Sequence, residues 1–387
     1  MAKKSILIVI SSLNRGGTEG HVLQVFSKIN REKYTIVVYT TSHKGVLAGA
    51  LESQGVNVIE PPCAAVLRKF GRLGRYLLYG ISSLKLSFLM LRLRPAIVHC
   101  FLPGTYLMGG ICAIVTRCTK LVMSRRSLNY YQTKHVFLSR IERWLYKKTD
   151  LIIGNSKAVN RQLLEEGVSE DKLVLLYNGV DLEKFHKSGA EKTKDSFTMI
   201  IVANLFAYKG HIDLIHALVS IKQELPKHWK LLCVGKDAGM ENVLKTLTSD
   251  LQLSNHIQWL GECSDVVSLL SQADLGILCS HEEGFSNSIL ESMAMELPMV
   301  VTDVGGNAEA VLDGLNGLVV PPKNSTQLAQ AILSLANDPA RRQQMALASH
   351  ERAVQCFSLK SCIHHYEMQY EKLLSEPSLT TSKVVEK

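Results

Sequence analysis

Acid is missing from this chain where base is most abundant. Residues 61–141 contain no Asp or Glu, yet the same window holds Arg68, Lys69, Arg72, Arg75, Lys85, Arg92, Arg94, Arg117, Lys120, Arg125, Arg126, Lys134 and Arg140. These 13 cations with no anion among them set up a strong local positive potential, within a net charge of +9 over 387 residues. Cysteine pairs are missing too. Nine cysteines are scattered, most in apolar runs (Cys100, Cys112, Cys233, Cys279), and none forms a C-x-x-C pair. That argues against a disulfide framework and describes buried thiols in a reducing compartment; Cys63, in a loop, is expected at the surface. The 13 histidines are dispersed. The adjacent His364 and His365 point in different directions on a helix, so no metal and no cofactor is expected. Low-complexity segments and short repeats are absent, and 46% hydrophobic with 20% charged residues describes a globular chain. Long hydrophobic runs are lacking as well. Residues 76–91 are interrupted by Lys85 and fall short of the ~20 needed to span a membrane. The start Met-Ala-Lys-Lys leads into a strand at 5–11, too short for a secretory core, so a cytoplasmic protein is expected.

What is present is an alternation. Strand-like apolar runs lie at 6–10, 35–40, 56–59, 96–100, 121–124, 151–154 and 173–176, with segments of helical spacing between them. A polar stretch, 186–195, reads as a linker, after which the pattern restarts at 197–203, 230–234, 257–259, 275–278, 299–302 and 318–320. Helices follow near 326–337, 339–355 and 358–374, and a polar tail runs from Pro377. Strands alternating with helices imply a parallel sheet covered on both faces. The length suits two such α/β domains, 1–187 and 196–357.

The densest chemistry lies at Glu283-Gly284-Phe285-Ser286-Asn287-Ser288-Ile289-Leu290-Glu291. A strand precedes it, a helix opens within it, and the strand at 299–302 with the turn Gly305-Gly306 follows. That is the layout of a nucleotide site outside the carboxyl ends of the strands of an open sheet. Backbone N–H groups from Phe285 to Ser288 suit a diphosphate at a helix start. Glu291 suits two ribose hydroxyls, and Glu283 suits sugar hydroxyls. The spacing alone equally fits a helix start decorated with acids that favour its dipole.

The longer run 282–309 resembles the donor-site signature of the retaining glycosyltransferases of family 4, which have the GT-B fold. The resemblance extends over 16–320. Gly16-Gly17-Thr18-Glu19 is similar to that family's first glycine loop, and Tyr177-Asn178-Gly179-Val180-Asp181 to its segment ahead of the linker. Asn204 through Lys209-Gly210 resembles the loop opening its second domain, and Val304-Gly305-Gly306-Asn307-Ala308-Glu309 the stretch after its paired glutamates.

The resemblance implies GT-B architecture, two Rossmann-like doubly wound domains facing a central cleft, with a last helix, 358–375, returning to the first. It implies transfer of a sugar with retention from a UDP- or GDP-type donor to a glycolipid or polysaccharide acceptor, as in lipopolysaccharide and other cell-surface glycans. Lys209 is expected to hold the diphosphate, Glu283 the transferred sugar, and Gly16 and Gly17 to approach the sugar or phosphate; otherwise Lys209 is an exposed helix-start lysine and the glycines a tight turn. Two departures stand out. Asn204 replaces a usual arginine, for which Arg125 or Arg126 is a substitute from across the cleft unless Ser124–Tyr131 is merely a basic surface loop. Phe101 stands where relatives often carry a histidine, and His99, two positions earlier, is either catalytic or a satisfied core residue. The departures keep open a non-catalytic nucleotide-sugar binder and, less in keeping with the paired glutamates, a nucleotide-sugar epimerase. The basic, apolar stretch 66–93 fits an anionic membrane surface, at the inner face of the cytoplasmic membrane, as well as a plain crossover helix; no nucleic-acid motif accompanies it.

Overall fold

The structure, a computed structural model, describes residues 3–118, 120–128, 136–187 and 196–375. Asn129, Tyr130, Tyr131 and Lys134, most of the expected linker, and the tail from Pro377 lie outside the described residues.

Each apolar run becomes a strand. The first seven are β1 (Lys4–Ser12), β2 (Tyr34–His43), β3 (Asn57–Ile59), β4 (Ile97–Phe101), β5 (Leu121–Arg125), β6 (Leu151–Gly154) and β7 (Leu173–Leu175). They form one parallel sheet in the order β3-β2-β1-β4-β5-β6-β7. Continuous runs rather than alternation mark strands covered on both faces, and Ile6 through Ile10 of β1 are fully buried. The second sheet contains β8 (Phe197–Val202), β9 (Trp229–Val234), β10 (Ile257–Gly261), β11 (Leu275–Leu278), β12 (Met299–Thr302) and β13 (Gly317–Val320), ordered β10-β9-β8-β11-β12-β13. Both sheets are parallel and doubly wound. In each, the order reverses beside the first strand, between β1 and β4 and between β8 and β11, where such sheets bind ligands beyond their carboxyl ends.

The chain divides into two compact units, Met1–Asn178 with the chain from Lys360 onward, and Gly179–Leu359. The passage between them therefore falls within the Tyr177–Asp181 motif, before the polar stretch that composition pointed to. Residues just after it are fastened to the second unit. The Val180 amide donates to the Phe357 carbonyl, Leu359 donates back to Val180, and Lys187 pairs with Glu296 at 3.5 Å. The last helix, Leu359–Ser375, belongs to the first unit, where Tyr366 and Tyr370 are fully buried.

The helix expected within the basic, apolar stretch 66–93 is present. The apolar stretch expected at 76–91 lies within a 23-residue helix, Gly71–Leu93, that is long and apolar enough to cross a membrane by length and composition alone. The run 76–91 looked too short to span because Arg72, Arg75 and Arg92 interrupt the hydrophobic run while continuing the helix. One face, with Leu78, Ser82, Leu86, Leu89 and Met90, is buried within the first unit, beside β2 and the Pro103–Val115 helix. The opposite face is apolar too, with Leu73, Tyr76, Leu84 and Phe88 each more than half exposed.

Candidate functional site

In the second unit, the loops leaving β8 and β11 meet at the switch point. The β8 loop carries Lys209 and the β11 loop carries Glu283. The Lys209 ammonium donates to Glu283 Oε1 at 2.5 Å, and the Ser280 hydroxyl donates to the same oxygen at 2.7 Å. The His281 amide joins the loops through the Tyr208 carbonyl at 2.7 Å. Two glycines make this closeness possible. Gly210 has φ +74° and a Cβ there would come 2.0 Å from the Cys279 carbonyl oxygen. Gly305 has φ +55° and a Cβ there would come 2.0 Å from the Glu283 carbonyl oxygen. Any side chain at either position would add left-handed strain to a backbone collision. Gly306 then donates to the Gly284 carbonyl at 2.8 Å, bracing the loop that presents Glu283.

That loop runs through Gly284 and Phe285 into the helix Asn287–Ala294. Its N-cap, Ser286, makes no side-chain cap bond to the helix and instead shares a 3.0 Å hydrogen bond with the Ser288 hydroxyl. Phe285 is buried against Phe357, which anchors the helix start from behind. One turn in, Glu291 is half-buried, and no hydrogen bond or ion pair among the described residues engages its carboxylate. Burial raises its pKa to about 7, opposed by the charge of Lys184. A cation and a carboxylate thus meet beside a helix start with its positive dipole end, and Glu291 lies one turn along that helix. The arrangement can hold a diphosphate and hydroxyl groups together.

The family model for Glycosyltransferase Family 4 matches residues 15–184, and that for Glycosyl transferases group 1 matches residues 183–352. The chain belongs to the group 1, family 4 glycosyltransferases. It is 25% identical over 76% of its length to the capsular polysaccharide biosynthesis glycosyltransferase CapM of Staphylococcus aureus, covering 81% of that protein. It is 28% identical over 62% of its length to a Campylobacter jejuni N-acetylgalactosaminyltransferase named for a diphospho-undecaprenol substrate, covering 64% of it. Other curated relatives are matched over about half to two thirds of their own length. Anabaena HepE, solved in complex with UDP, has a TM-score of 0.81 at 21% identity, over 95% of this chain and 100% of that one. The fold is GT-B.

The first unit of this glycosyltransferase corrects two expectations. His99 is fully buried and its two ring nitrogens are both engaged, Nδ1 with the Tyr370 hydroxyl at 2.6 Å and Nε2 with Ser124 Oγ at 2.8 Å. It stacks on Phe101 at 4.3 Å, and burial together with Arg126 pushes its pKa down to about 3. His99 is a satisfied core histidine with no nitrogen left for a substrate. Arg125 is likewise unavailable. Its guanidinium is buried and donates to Glu142 at 2.7 Å, Glu166 at 2.9 Å and the Tyr146 hydroxyl at 2.6 Å. A charge so deep requires carboxylate partners, and they lie past the acid-free window, where spacing gave no hint of them.

Arg126 is different. It is buried, donates to Asn178 Oδ1, and has no carboxylate at ion-pair distance among the described residues. Gly16, the N-cap of the helix Gly17–Lys28, has extended backbone; a Cβ there would come 2.3 Å from a Glu19 carboxylate oxygen. Burial raises the pKa of Glu19, while its own backbone amide and Arg126 oppose that rise. Asn204, where an arginine was expected, accepts from the Lys236 amide at 2.9 Å and so ties the β8 and β9 loops together.

Sequence reasoning missed the His281–Asp213 pair, at 2.6 Å beside the Lys209 loop, and His211, buried with neither ring nitrogen partnered. The one available signal for His211 was its place directly after Lys209-Gly210. Among the described residues no group of three or more His, Cys, Asp and Glu is placed to hold a metal ion, and all nine cysteines are free thiols.

Proposed function

We propose that this glycosyltransferase moves a sugar, with retention of anomeric configuration, from a UDP- or GDP-type donor to a lipid-linked or polysaccharide acceptor in glycan biosynthesis. The observation that carries the reading is the meeting of Lys209, Glu283 and the Asn287–Ala294 helix start at the β8/β11 switch point. Lys209 and the helix start stabilise the charge that builds on the departing diphosphate. Glu283 holds the transferred sugar, Glu291 the ribose hydroxyls, and Gly284, Phe285, Asn287 and Ser288 frame the diphosphate. Because Lys209 and Glu283 already pair with each other, donor binding exchanges that ion pair for contacts to phosphate and sugar. No protein-held metal is invoked, since cation and helix dipole act on the same charge. On the acceptor side, Gly16, Gly17 and Arg126 are the groups assigned to phosphate or sugar.

The acceptor is lipid-linked in this reading because the outer face of Gly71–Leu93 suits an anionic membrane surface at the cytoplasmic side. A helix apolar on both faces has one face left over after packing. Here that face is flanked by Lys69, Arg72, Arg75, Arg92 and Arg94 with no acid in the window. The Campylobacter relative's name agrees with a lipid-linked substrate.

A second reading, a donor binder without turnover, is favoured by one observation: neither His99 nor Phe101 offers a base. The deciding experiment supplies UDP-, GDP- and ADP-sugars with extracted membrane lipids to wild type and Glu283→Ala. Transfer from one donor, with the donor's anomeric configuration kept and the rate reduced about 10²-fold or more in the variant, supports the enzyme. Donor binding without turnover, unchanged in Glu283→Ala, overturns both the activity and the site.

A further inference from the structure

Lys209 and Glu283 come from loops 74 positions apart, and the ion pair between them is what a donor replaces in the reading above. A contact that a ligand displaces cannot hold its two loops in place while the ligand is bound. The stronger links that outlast the exchange converge on His281. Its backbone amide donates to the Tyr208 carbonyl at 2.7 Å, and its ring Nε2 lies 2.6 Å from Asp213 Oδ2. A carboxylate only accepts, so Nε2 carries the hydrogen and the bond is charge-assisted. One residue of the β11 loop therefore grips the β8 loop on both sides of Lys209-Gly210.

Both ends of this grip are anchored. The Ser280 carbonyl, next to His281, accepts from the Thr302 hydroxyl at 2.5 Å, which ties the loop to β12. Asp213 lies in the first turn of the helix His211–Ile221, whose Leu214 and Ile215 are buried in the core of the second unit. Tyr208, held by its carbonyl, stacks on Phe206 with centroids 5.3 Å apart, and the Lys209 ammonium lies 5.3 Å from the Tyr208 ring centroid. The place of the cation is thus set through Tyr208 as well as through the helix start. Cys279 adds a thiol contact to the Gly210 carbonyl at 3.2 Å, and a thiol is a weak donor.

We propose that His281 and Asp213 are positioning residues for sugar transfer. They latch the Lys209 loop to the Glu283 loop, so that cation and carboxylate keep their places once a donor separates them. The inference rests on the donor site proposed above. Both residues act through Lys209 and Glu283. A cation misplaced by about 1 Å from the charge developing on the diphosphate costs on the order of 10²-fold in rate. Donor affinity, shared with the Asn287–Ala294 helix start and Glu291, changes less.

A simpler role exists for Asp213, as a first-turn acid that favours the helix dipole. The test compares wild type with Asp213→Ala, His281→Ala, the double variant and His281→Gln, whose amide reaches the same carboxylate. Both partners are about one quarter exposed, so each variant is expected to fold. In the free protein, amide exchange read by mass spectrometry is expected to quicken about tenfold in peptides covering 205–213 and 280–286 of both single alanine variants. With the donor that wild type turns over, kcat is expected to fall about 10- to 100-fold while donor KM moves less than about threefold. The double variant is expected to be no worse than either single one, and His281→Gln to recover most of the loss. A loss in Asp213→Ala that His281→Ala does not share assigns Asp213 to the dipole and overturns the latch. Additive losses in the double variant, or a change in KM alone, overturn it as well. The exchange measurement needs no donor: unaltered exchange in both single variants overturns the latch whatever the donor panel gives. Loosened loops in the variants, with no turnover by wild type, support the latch and place the failure in the donor reading.

Discussion

Glu291 and His211 show how far the site departs from ordinary residue behaviour. Burial raises the Glu291 pKa from 4.5 to about 7, so folding favours its protonated form. The stability this carboxyl contributes is present below pH 4.5 and is lost as pH rises through about 7. Glu291→Gln should therefore gain on wild type as pH rises from 5 to 8, by on the order of 1–2 kcal/mol given partial screening by water, read as a widening gap in thermal midpoint. An equal gap at both pH values would refute the assignment. His211 has the opposite sign. Burial and the charge of Lys209 lower its pKa to about 4, so the folded state resists protonation while the unfolded chain accepts it below about pH 6.5. His211→Leu should flatten the loss of stability between pH 6.5 and 4 by up to about 1.4 kcal/mol per pH unit, and cost little at pH 7 because neither imidazole nitrogen has a partner to lose. Urea unfolding at pH 7 and pH 5 measures both effects. The paired glutamates were legible because a motif with strand and helix around them carried them. His211 and the His281–Asp213 pair were not, since one histidine looks like another until its neighbours are known.

At the scale of elements, the strands were the most legible part. All thirteen coincide with apolar runs, because a parallel strand covered on both faces has to be apolar at consecutive positions. The Gly71–Leu93 helix was legible within 66–93, but not its length as an apolar segment. Its arginines end a hydrophobic run without ending a helix, and only packing shows which of its two apolar faces the sheet covers. The exposed face gives a prediction of its own. Arg72→Glu with Arg75→Glu should lower binding to phosphatidylglycerol vesicles by at least about 30-fold, at about 1 kcal/mol per lost cation, and 0.5 M salt should weaken wild-type binding in the same direction. Leu84→Ser with Phe88→Ser should weaken it without altering that salt dependence. Flotation with neutral and anionic vesicles separates the two contributions; equal binding to both kinds of vesicle would sink the electrostatic part.

At the scale of the whole molecule, the chain leaves its first unit at Asn178 and returns at Lys360 to finish it. The returning helix fills the core with Tyr366 and Tyr370, whose hydroxyls reach His21 at 3.0 Å and His99 at 2.6 Å. Tyr366→Ala should destabilise the first unit by about 3–5 kcal/mol, measured as an earlier thermal transition. A transition unmoved by this change would show that the helix is dispensable. These contacts also explain the fate of the sequence-derived site residues. The sequence by itself determined the two parallel sheets, the loops that carry Lys209 and Glu283, and the family, because apolar runs and short motifs are properties of neighbours along the chain. Only the tertiary structure decided that Lys209 and Glu283 pair, that Arg125 is neutralised by Glu142 and Glu166, and that His99 is held by a tyrosine 271 positions away. Charge and hydrogen-bonding capacity are settled by whatever lies within a few ångströms, and in a doubly wound fold most such partners come from distant parts of the chain.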